Sequence, residues 1–438
     1  MIGRLHGSLT VLRALPGQRR VPFLSRTRVA ELREARIRAT VDYATAHVPH
    51  YRELAARGEL DRGSIRTPEE LRSLPLIDKP LLARDPARFR SDAVSDPEAV
   101  PFTTSGSTWR PVTVHHDRRS LLQNIAYSER DRAVESALRG GGLRYVIARI
   151  SHETATGAKV NAFYGRSALR PFAPVRRFIP LQTPLERVVE LLGEIRPDVL
   201  IAHGSYLEEF FKVVAHRGLD LRPPRVVRYA ADGMSEESRA FIERRFGVPV
   251  LSSYSAVESF KIGYFCELRR GFHLHEDLCD LWIADATGRA CAPGEVGEVV
   301  ISNLVNRATV LLNYRLGDLG RLSREPCPCG RTSPVLTLLD GRVSQIVHLA
   351  SGDIVHPFAV LTVVRRYADV VRCQLVQHER ERFELKVVLL ESAALERIRG
   401  PLTAELRVVL GGSTVEITED RRADDGRGKL IPVVALRP

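Results

Sequence analysis

Apolar positions in the first third of this chain recur at helical spacing. Between residues 28 and 60 they include Val29, Leu32, Ile37, Val41 and Ala44, three to five residues apart, which predicts an amphipathic helix. A second helical pattern covers residues 121–138. The N-terminal region is therefore predicted to be mostly helical.

From residue 145 onward, short apolar runs alternate with helical patterns. Such alternation is typical of a layered α/β domain with a mainly parallel sheet. The predicted strands cover residues 145–150, 198–202, 225–230 and 250–254, and the predicted helices cover 184–195, 206–217 and 236–246.

The pattern changes to strands and turns from residue 278, and past Gly341 it becomes that of a smaller α+β segment. Strands are predicted there near residues 373–377, 383–390 and 415–418. We therefore predict a large N-terminal multi-layer α/β domain over residues 1–341 and a small, mobile α+β C-terminal domain over residues 342–438.

The composition is that of a soluble globular protein, with 44% hydrophobic and 27% charged residues. Its apolar runs are shorter than the roughly 18 to 20 residues of a membrane span. A cytoplasmic protein without a membrane partner is the simplest expectation. The net charge of +12 suits an anionic ligand, although an arginine-rich composition explains it equally well. This charge is spread along the chain, which argues against a nucleic-acid partner.

The segment from Phe102 to Pro111 concentrates hydroxyl groups, a glycine and a cation in one short loop. Glycine lets the backbone approach an anion closely, hydroxyl groups donate to its oxygens, and a guanidinium neutralises its charge. The sequence therefore predicts a phosphate-binding loop. Its candidate ligand-binding residues are Thr104, Ser105, Gly106, Ser107, Thr108 and Arg110.

Four further segments follow this loop in order: Ser253 to Glu258, Tyr314 to Asp318, Asp340 to Arg342, and Gly426 to Lys429. With the loop, their order and separation resemble the adenylate-forming (acyl-CoA synthetase-like) superfamily. The most similar branch is that of the phenylacetate–CoA ligase-like enzymes. The resemblance implies an enzyme that activates a carboxylic acid with ATP as an acyl-adenylate, releasing pyrophosphate.

The same resemblance implies roles for the nucleotide-binding residues. The loop would hold the β- and γ-phosphates of ATP, and Glu258 would bind Mg²⁺. Tyr254 would lie against the adenine, and the backbone of Ala231, Asp232 and Gly233 would line its edge. Ser253, which precedes Tyr254, is a further nucleotide-binding candidate.

Asp318 would accept hydrogen bonds from both ribose hydroxyls, and Arg342 would also approach the ribose. Lys429, on the small domain, would bridge the substrate carboxylate and the α-phosphate as the catalytic lysine. The acyl group would then pass to CoA, to a carrier-protein thiol or to an amine, and a homodimer is left open.

Several residues depart from the family's pattern. Trp109 and Arg110 stand where glycine and lysine are usual, and Ser255 replaces a glycine. Val257 replaces a hydroxyl residue, and Ser344 replaces an aspartate at the hinge. Trp109 and Val257 are the best support for one alternative, a non-catalytic relative that binds nucleotide or a partner protein. Lys429 and Glu258 argue against it.

All six cysteines lie in the C-terminal half of the chain. In a cytosolic protein this argues for metal binding or free thiols over disulfides. Cys266, His273, Cys327 and Cys329 supply three thiols and one imidazole, a tetrahedral ligand set that suits structural zinc. Some members of the phenylacetate–CoA ligase-like branch carry such a site at matching positions.

His275 is the alternative imidazole for this metal site. Cys279, Cys291 and Cys373 are expected to be packing residues. Because no nucleophile motif accompanies His115, His116, His348 and His356, they are interpreted as ordinary residues. A zinc-organised nucleic-acid-binding protein is a third alternative, supported only by charge and cysteines.

Overall fold

The computed structural model describes residues 2–61, 63–104, 111–142, 144–169, 173–420 and 431–436. Its N-terminal region is helical, as predicted. The helix predicted over residues 28–60 is two helices, because Val48 is extended ahead of Pro49, and a residue before proline disfavours helical geometry. The helices are α1 (Ile2–Ala14), α2 (Arg26–His47), α3 (Pro49–Ala56), α4 (Pro68–Leu71) and α5 (Lys79–Arg84), with 3-10 turns at Val21–Phe23, Pro86–Phe89 and Asp96–Glu98.

A two-stranded antiparallel ribbon precedes the main sheet. It consists of β1 (Ala99–Thr103) and β2 (Thr113–Asp117), with Thr103 opposite Thr113. The helical pattern predicted at residues 121–138 forms α6 (Arg118–Tyr127) and α7 (Glu129–Arg139), which meet at Ser128.

One half of the main sheet is parallel, with its strands in the order β4-β3-β5-β6-β7. Each strand from β3 to β6 is followed by a helix that returns the chain to the starting edge, as a parallel pairing requires. The elements are β3 (Val146–Ser151), α8 (Thr156–Ser167), β4 (Val175–Pro180), α9 (Leu185–Ile195), β5 (Val199–His203), α10 (Gly204–Arg217), β6 (Val226–Ala230), α11 (Glu236–Phe246) and β7 (Val250–Tyr254).

The other half of this 11-stranded sheet is antiparallel and continues from β7 in the order β8-β9-β13-β12-β11-β10. The expectation of a mainly parallel sheet, drawn from residues 145–254, is confirmed for those strands. In the antiparallel half, loops replace the crossover helices. Its strands are β8 (Gly263–Phe265), β9 (Phe272–Leu274), β10 (Cys279–Ala284), β11 (Gly297–Asn303), β12 (Tyr314–Ser323) and β13 (Val335–Arg342).

The C-terminal segment forms its own four-stranded sheet, in the order β18-β17-β16-β19. A separate apolar cluster lies beneath it and includes Val347, Leu375 and Leu406, whereas the main cluster ends at Leu336. The elements are a 3-10 turn at Val343–Gln345, β14 (Val347–His348), β15 (Ile354–Val355), α12 (Pro357–Arg365), β16 (Val370–Glu379), β17 (Arg382–Leu389), α13 (Ala394–Val409), β18 (Thr414–Glu419) and β19 (Val433–Val434).

The predicted fold class, a large α/β unit followed by a small α+β unit, is confirmed. Within the described ranges, helices long and apolar enough to cross a membrane are absent.

Asn313 joins the N-terminal helices to the antiparallel half of the sheet. Its side chain is fully buried, and Nδ2 donates to the carbonyl oxygens of Leu71 (2.8 Å) and Leu74 (2.9 Å). Its Oδ1 accepts a hydrogen bond from Trp282 Nε1 at 3.2 Å. The residue has a positive φ of 54°, a conformation that asparagine tolerates better than most residues. One side chain thus fixes the segment that leads into α5 against β12.

We expect Asn313→Ala to lower the free energy of unfolding by about 2–4 kcal/mol, because three buried polar groups lose their partner. Asn313→Gly removes the same hydrogen bonds but relieves the positive-φ strain, so it should be less destabilising than alanine by about 1 kcal/mol. Denaturant titration measures both. An Asn313→Ala protein as stable as wild type would contradict this role.

Candidate functional site

A cavity of about 1160 Å³ lies at the carboxyl ends of the parallel strands. Its lining extends from β3 across to β12 and β13, and includes residues of the small C-terminal unit. In open α/β sheets, ligands bind at this edge of the sheet. The cavity therefore occupies the position where the fold places a binding site.

Tyr254, Asp318 and Arg342 meet in this cavity although they come from three different strands. Asp318 on β12 is the register partner of Arg342 on β13. Tyr254 Oη, at the end of β7, donates to Asp318 Oδ2 at 2.8 Å, and Arg342 Nε lies 3.1 Å from Asp318 Oδ1. Burial and the neighbouring carboxylate raise the pKa of Tyr254 well above its usual value, so it stays a hydrogen-bond donor. The Asp318 carboxylate raises the pKa of Arg342.

Glu258 is buried in the same cavity, 7% exposed. Its side chain shares a hydrogen bond with Tyr314, and its backbone oxygen accepts one from Asn303 Nδ2 at 2.9 Å. Burial raises the pKa of its carboxyl group, while the nearby charges of Lys79 and Arg342 act to lower it. A buried carboxylate among cations is suited to an ionic ligand.

Lys79 is a cavity residue that the sequence analysis missed as a site candidate. It is the first residue of α5, which Asp78 caps by accepting a hydrogen bond from the backbone N–H of Leu81 at 2.8 Å. Burial lowers the pKa of Lys79. The sequence signal for this residue was the capping motif Asp78-Lys79-Pro80. An N-cap aspartate followed by a proline in the first turn fixes where α5 begins, and so places Lys79 at its first position.

The turn after β6 contains Ala231 and Asp232, and both line the cavity. The Asp232 carboxylate accepts hydrogen bonds from Gly204 N and Ser205 Oγ, both at 2.5 Å, and so ties the turn to the start of α10. A Cβ at Gly204 would lie 2.1 Å from the oxygen of Gly233, so only glycine fits there. Ala231 has φ +76°, a conformation unusual for alanine. With the Asp232 side chain engaged, the turn presents its backbone to the cavity.

Thr104 lines the cavity at the end of β1, and its Oγ1 accepts a hydrogen bond from Val112 N at 3.0 Å. Ser253 lies at the end of β7, where its Oγ accepts from the Arg228 guanidinium at 2.6 Å. The other predicted loop residues, Ser105, Gly106, Ser107, Thr108 and Arg110, lie outside the described residues, as do Trp109 and Lys429.

Away from the cavity, Cys266, His273, Cys327 and Cys329 converge. Their four ligand atoms all lie within 4.8 Å of one another. The Cys266 and Cys327 sulfurs are 4.0 Å apart, and Cys329 Sγ is 3.4 Å from His273 Nε2. This ligand set and spacing could hold one metal ion. We refer to these four residues as the thiol–imidazole group.

Three short elements bring this group together. Cys266 follows β8, His273 is the middle residue of β9, and Cys327 and Cys329 lie in the turn between β12 and β13. Nδ1 of His273 is 3.3 Å from Ser333 Oγ, which leaves Nε2 to face the thiols. Arg331 donates to both carboxylate oxygens of Glu267, at 2.6 and 2.9 Å, and so holds the turn against the β8–β9 connection.

The alternative imidazole, His275, is not part of this group. It is buried, stacks on Tyr264 with ring centroids 4.9 Å apart, and has Nδ1 3.4 Å from Arg130. Burial lowers its pKa to about 3, so it is neutral. His116 is likewise buried, with Nε2 2.7 Å from the carbonyl oxygen of Val257.

No family model matches the chain. Among curated proteins it is similar to a phenylacetate–coenzyme A ligase of Thermus thermophilus, 28% identical over 80% of this chain and 78% of that protein. A phenylacetate–coenzyme A ligase of Pseudomonas putida is 27% identical over 66% of this chain and 65% of its own length. The CapK protein of Staphylococcus aureus is 20% identical over 88% and 84%.

Among solved structures, the chain is similar to 2-hydroxyisobutyryl-CoA ligase in the postadenylation state, with a TM-score of 0.75 and 18% identity over 96% of this chain and 92% of that one. The same ligase in the thioesterification state gives a TM-score of 0.58 over 96% and 91%, again at 18% identity. The resemblance to the adenylate-forming superfamily and its phenylacetate–CoA ligase-like branch is confirmed.

Proposed function

We propose that this chain, a relative of the phenylacetate–coenzyme A ligases with the fold of the adenylate-forming ligases, activates a carboxylic acid with ATP as an acyl-adenylate. Pyrophosphate leaves in this step, and the acyl group then passes to CoA. The observation that carries the proposal is the meeting of Tyr254 and Arg342 at Asp318, in the cavity that also contains Glu258.

We propose that Asp318 binds the ribose of ATP. Tyr254 Oη and Arg342 Nε each engage one of its oxygens, and a carboxylate accepts about four hydrogen bonds in all, so acceptor capacity remains for the two ribose hydroxyls. The Tyr254 ring would lie against the adenine. The backbone of Ala231 and Asp232 would meet the adenine edge, because both residues line the cavity and the Asp232 side chain is engaged with α10.

The phosphates would be held between Thr104 and Glu258, with the loop from Ser105 to Arg110 completing the site. Glu258 is the residue whose buried carboxylate fits Mg²⁺, a cation that prefers oxygen ligands. Bound there, Mg²⁺ would neutralise the charge of the phosphate oxygens. Lys79 adds a second positive charge close to Glu258.

We propose a division into domains at residues 341 and 342, with Lys429 as the catalytic residue of the small domain. Separate apolar clusters on the two sides support the division. The polar contacts between the two sides include Lys212 Nζ to the Val370 carbonyl oxygen at 3.2 Å, the Arg372–Glu209 ion pair, and His216 Nε2 to Glu391 at 3.3 Å. The higher TM-score to a postadenylation state than to a thioesterification state fits a small domain docked for adenylation.

We propose that the thiol–imidazole group binds one structural Zn²⁺. Three thiolates and one imidazole provide the four ligands of a tetrahedral structural zinc site. Transfer to a carrier protein or to an amine, a homodimer and a cytoplasmic location stay predictions.

Replacing Asp318 should weaken nucleotide binding. Asp318→Ala removes the acceptor for two hydroxyls, each such bond to a charged group being worth roughly 1.5–3 kcal/mol. ATP affinity in calorimetry should fall by at least about tenfold. Asp61→Ala, on an exposed loop, is the matched control and should leave it unchanged. A folded Asp318→Ala protein that binds ATP like wild type would contradict the nucleotide site.

Replacing Lys429 should slow the chemical step without loss of ATP binding. Its charge matters most while two anionic reactants converge on the α-phosphate, so Lys429→Ala should reduce acid-dependent pyrophosphate release by on the order of a hundredfold. Thioester formation from a supplied acyl-adenylate should be largely spared. Lys386→Ala, on β17 of the small domain, is the control. Adenylate formation at the wild-type rate in Lys429→Ala would remove this lysine from the mechanism.

Elemental analysis should find about one zinc per chain in protein purified without chelator. Cys327→Ser should lose most of it and lower the thermal midpoint, because the turn between β12 and β13 loses its anchor. Cys291→Ser, outside the group, should keep its zinc. If Cys327→Ser kept all of its zinc, the metal would have to bind elsewhere. Wild-type protein without zinc would contradict the proposal.

A further inference from the structure

The cavity end farthest along the parallel sheet is formed by β3, β4 and α8. Arg149 lies on β3, the strand between β4 and β5, and is in register with Phe178 of β4 and Ile201 of β5. Its guanidinium lines the cavity and lies over the first turn of α8, where a Cβ at Gly157 would be 3.3 Å from Nη1. Glycine at this position lets the guanidinium pack against the helix.

Arg149 has no ion-pair or hydrogen-bond partner among the described residues. Two other cations of this wall, Arg228 and Lys261, are paired instead. Arg228 pairs with Asp131 at 2.8 Å and with Glu135 at 3.2 Å, and Lys261 lies 3.4 Å from Asp131. The two carboxylates of the wall are therefore already engaged by other cations.

The surplus charge at this end of the cavity is positive. Burial, together with the positive charges of Arg228 and Arg176, lowers the pKa of Arg149 to about 10. At neutral pH the guanidinium nevertheless remains charged. An uncompensated cation in a partly buried wall is costly, and an anion that entered the cavity would offset that cost.

The neighbouring groups suit an anion with several acceptor oxygens. Asn161 lines the same region. Its Nδ2 donates one hydrogen to the Gly157 carbonyl oxygen at 2.8 Å, which leaves a second amide hydrogen to donate. The first turn of α8 has neither an acidic residue nor a side-chain cap among the described residues. Its first backbone N–H groups are therefore left to bind an anion. A guanidinium binds carboxylate and phosphate oxygens in pairs.

We propose that the acid activated by this protein carries a second anionic group, a carboxylate or a phosphonate-like oxyanion, and that Arg149 binds it. This inference rests on the proposed function, because it names the substrate class of that same site. Arg149 would act as a specificity-determining residue, holding the far end of the acid while its reacting carboxylate faces Glu258 and the nucleotide.

The test compares acids that differ only in the second charge. Pyrophosphate release is measured with succinate, glutarate and adipate, each against its monoamide, and with 4-phosphonobutyrate, phenylacetate and hexanoate. For the best chain length, wild-type kcat/KM should favour the dianion over its monoamide by roughly tenfold to a hundredfold, the value of one charged hydrogen-bond pair. Comparison of 4-phosphonobutyrate with the dicarboxylates shows whether the site prefers a phosphonate or a carboxylate as the second group.

Arg149→Gln should abolish this preference, mainly through a higher KM for the dianion, while ATP affinity stays unchanged. Arg149→Lys should retain part of it, since the charge remains but the paired geometry is lost. Arg177→Gln, on the exposed face of β4 and outside the cavity lining, is the matched control and should behave like wild type.

The outcomes separate the two proposals. Release of pyrophosphate with phenylacetate or hexanoate but with no dianion would overturn the role of Arg149 and leave acid activation standing. Loss of ATP affinity in Arg149→Gln would also overturn it, because the guanidinium would then serve the nucleotide. No release with any acid would overturn both.

Discussion

Strand β7 changes the direction of the sheet, and the site depends on that change. It pairs in parallel with β6 on one side and antiparallel with β8 on the other. The parallel half gathers the carboxyl ends of its strands at one edge. The antiparallel half returns two strands to that edge, so Tyr254 at the end of β7 reaches Asp318 on β12. A purely parallel or purely antiparallel sheet would not bring these side chains together.

The sequence predicted the segments of the site better than their contacts. Tyr254, Asp318 and Arg342 were each found by motif, and the strand that carries Tyr254 was found by the strand–helix alternation. The strands of Asp318 and Arg342 were not predicted individually. Their mutual hydrogen bonds depend on the register of β12 with β13, which a sequence pattern does not specify. The thiol–imidazole group was predictable because few residue types bind zinc and all its members stand close to turns.

Other features depend on tertiary context and could not be read from the pattern. Helix α8 lacks a capping residue and begins with Thr156 and Gly157, so neither its existence nor the packing of Arg149 over its first turn was visible. The break of the first long helix at Val48 had a local signal in Pro49, whereas the break at Ser128 had none. Lys79 follows a recognisable cap, yet its proximity to Glu258 depends on the parallel bridge between Ile77, two residues earlier, and Tyr314 of β12.

The β12–β13 hairpin carries Asp318 and Arg342 at one end and the turn with Cys327 and Cys329 at the other. From Asp318 to Ser323, the last residue of β12, the strand spans about 17 Å at ~3.4 Å per residue. A change at the turn can therefore tilt the hairpin and shift Asp318 without touching the cavity. Reduced turnover in a cysteine variant would then report the alignment of this hairpin, and by itself it would not identify a thiol as a participant in the chemistry.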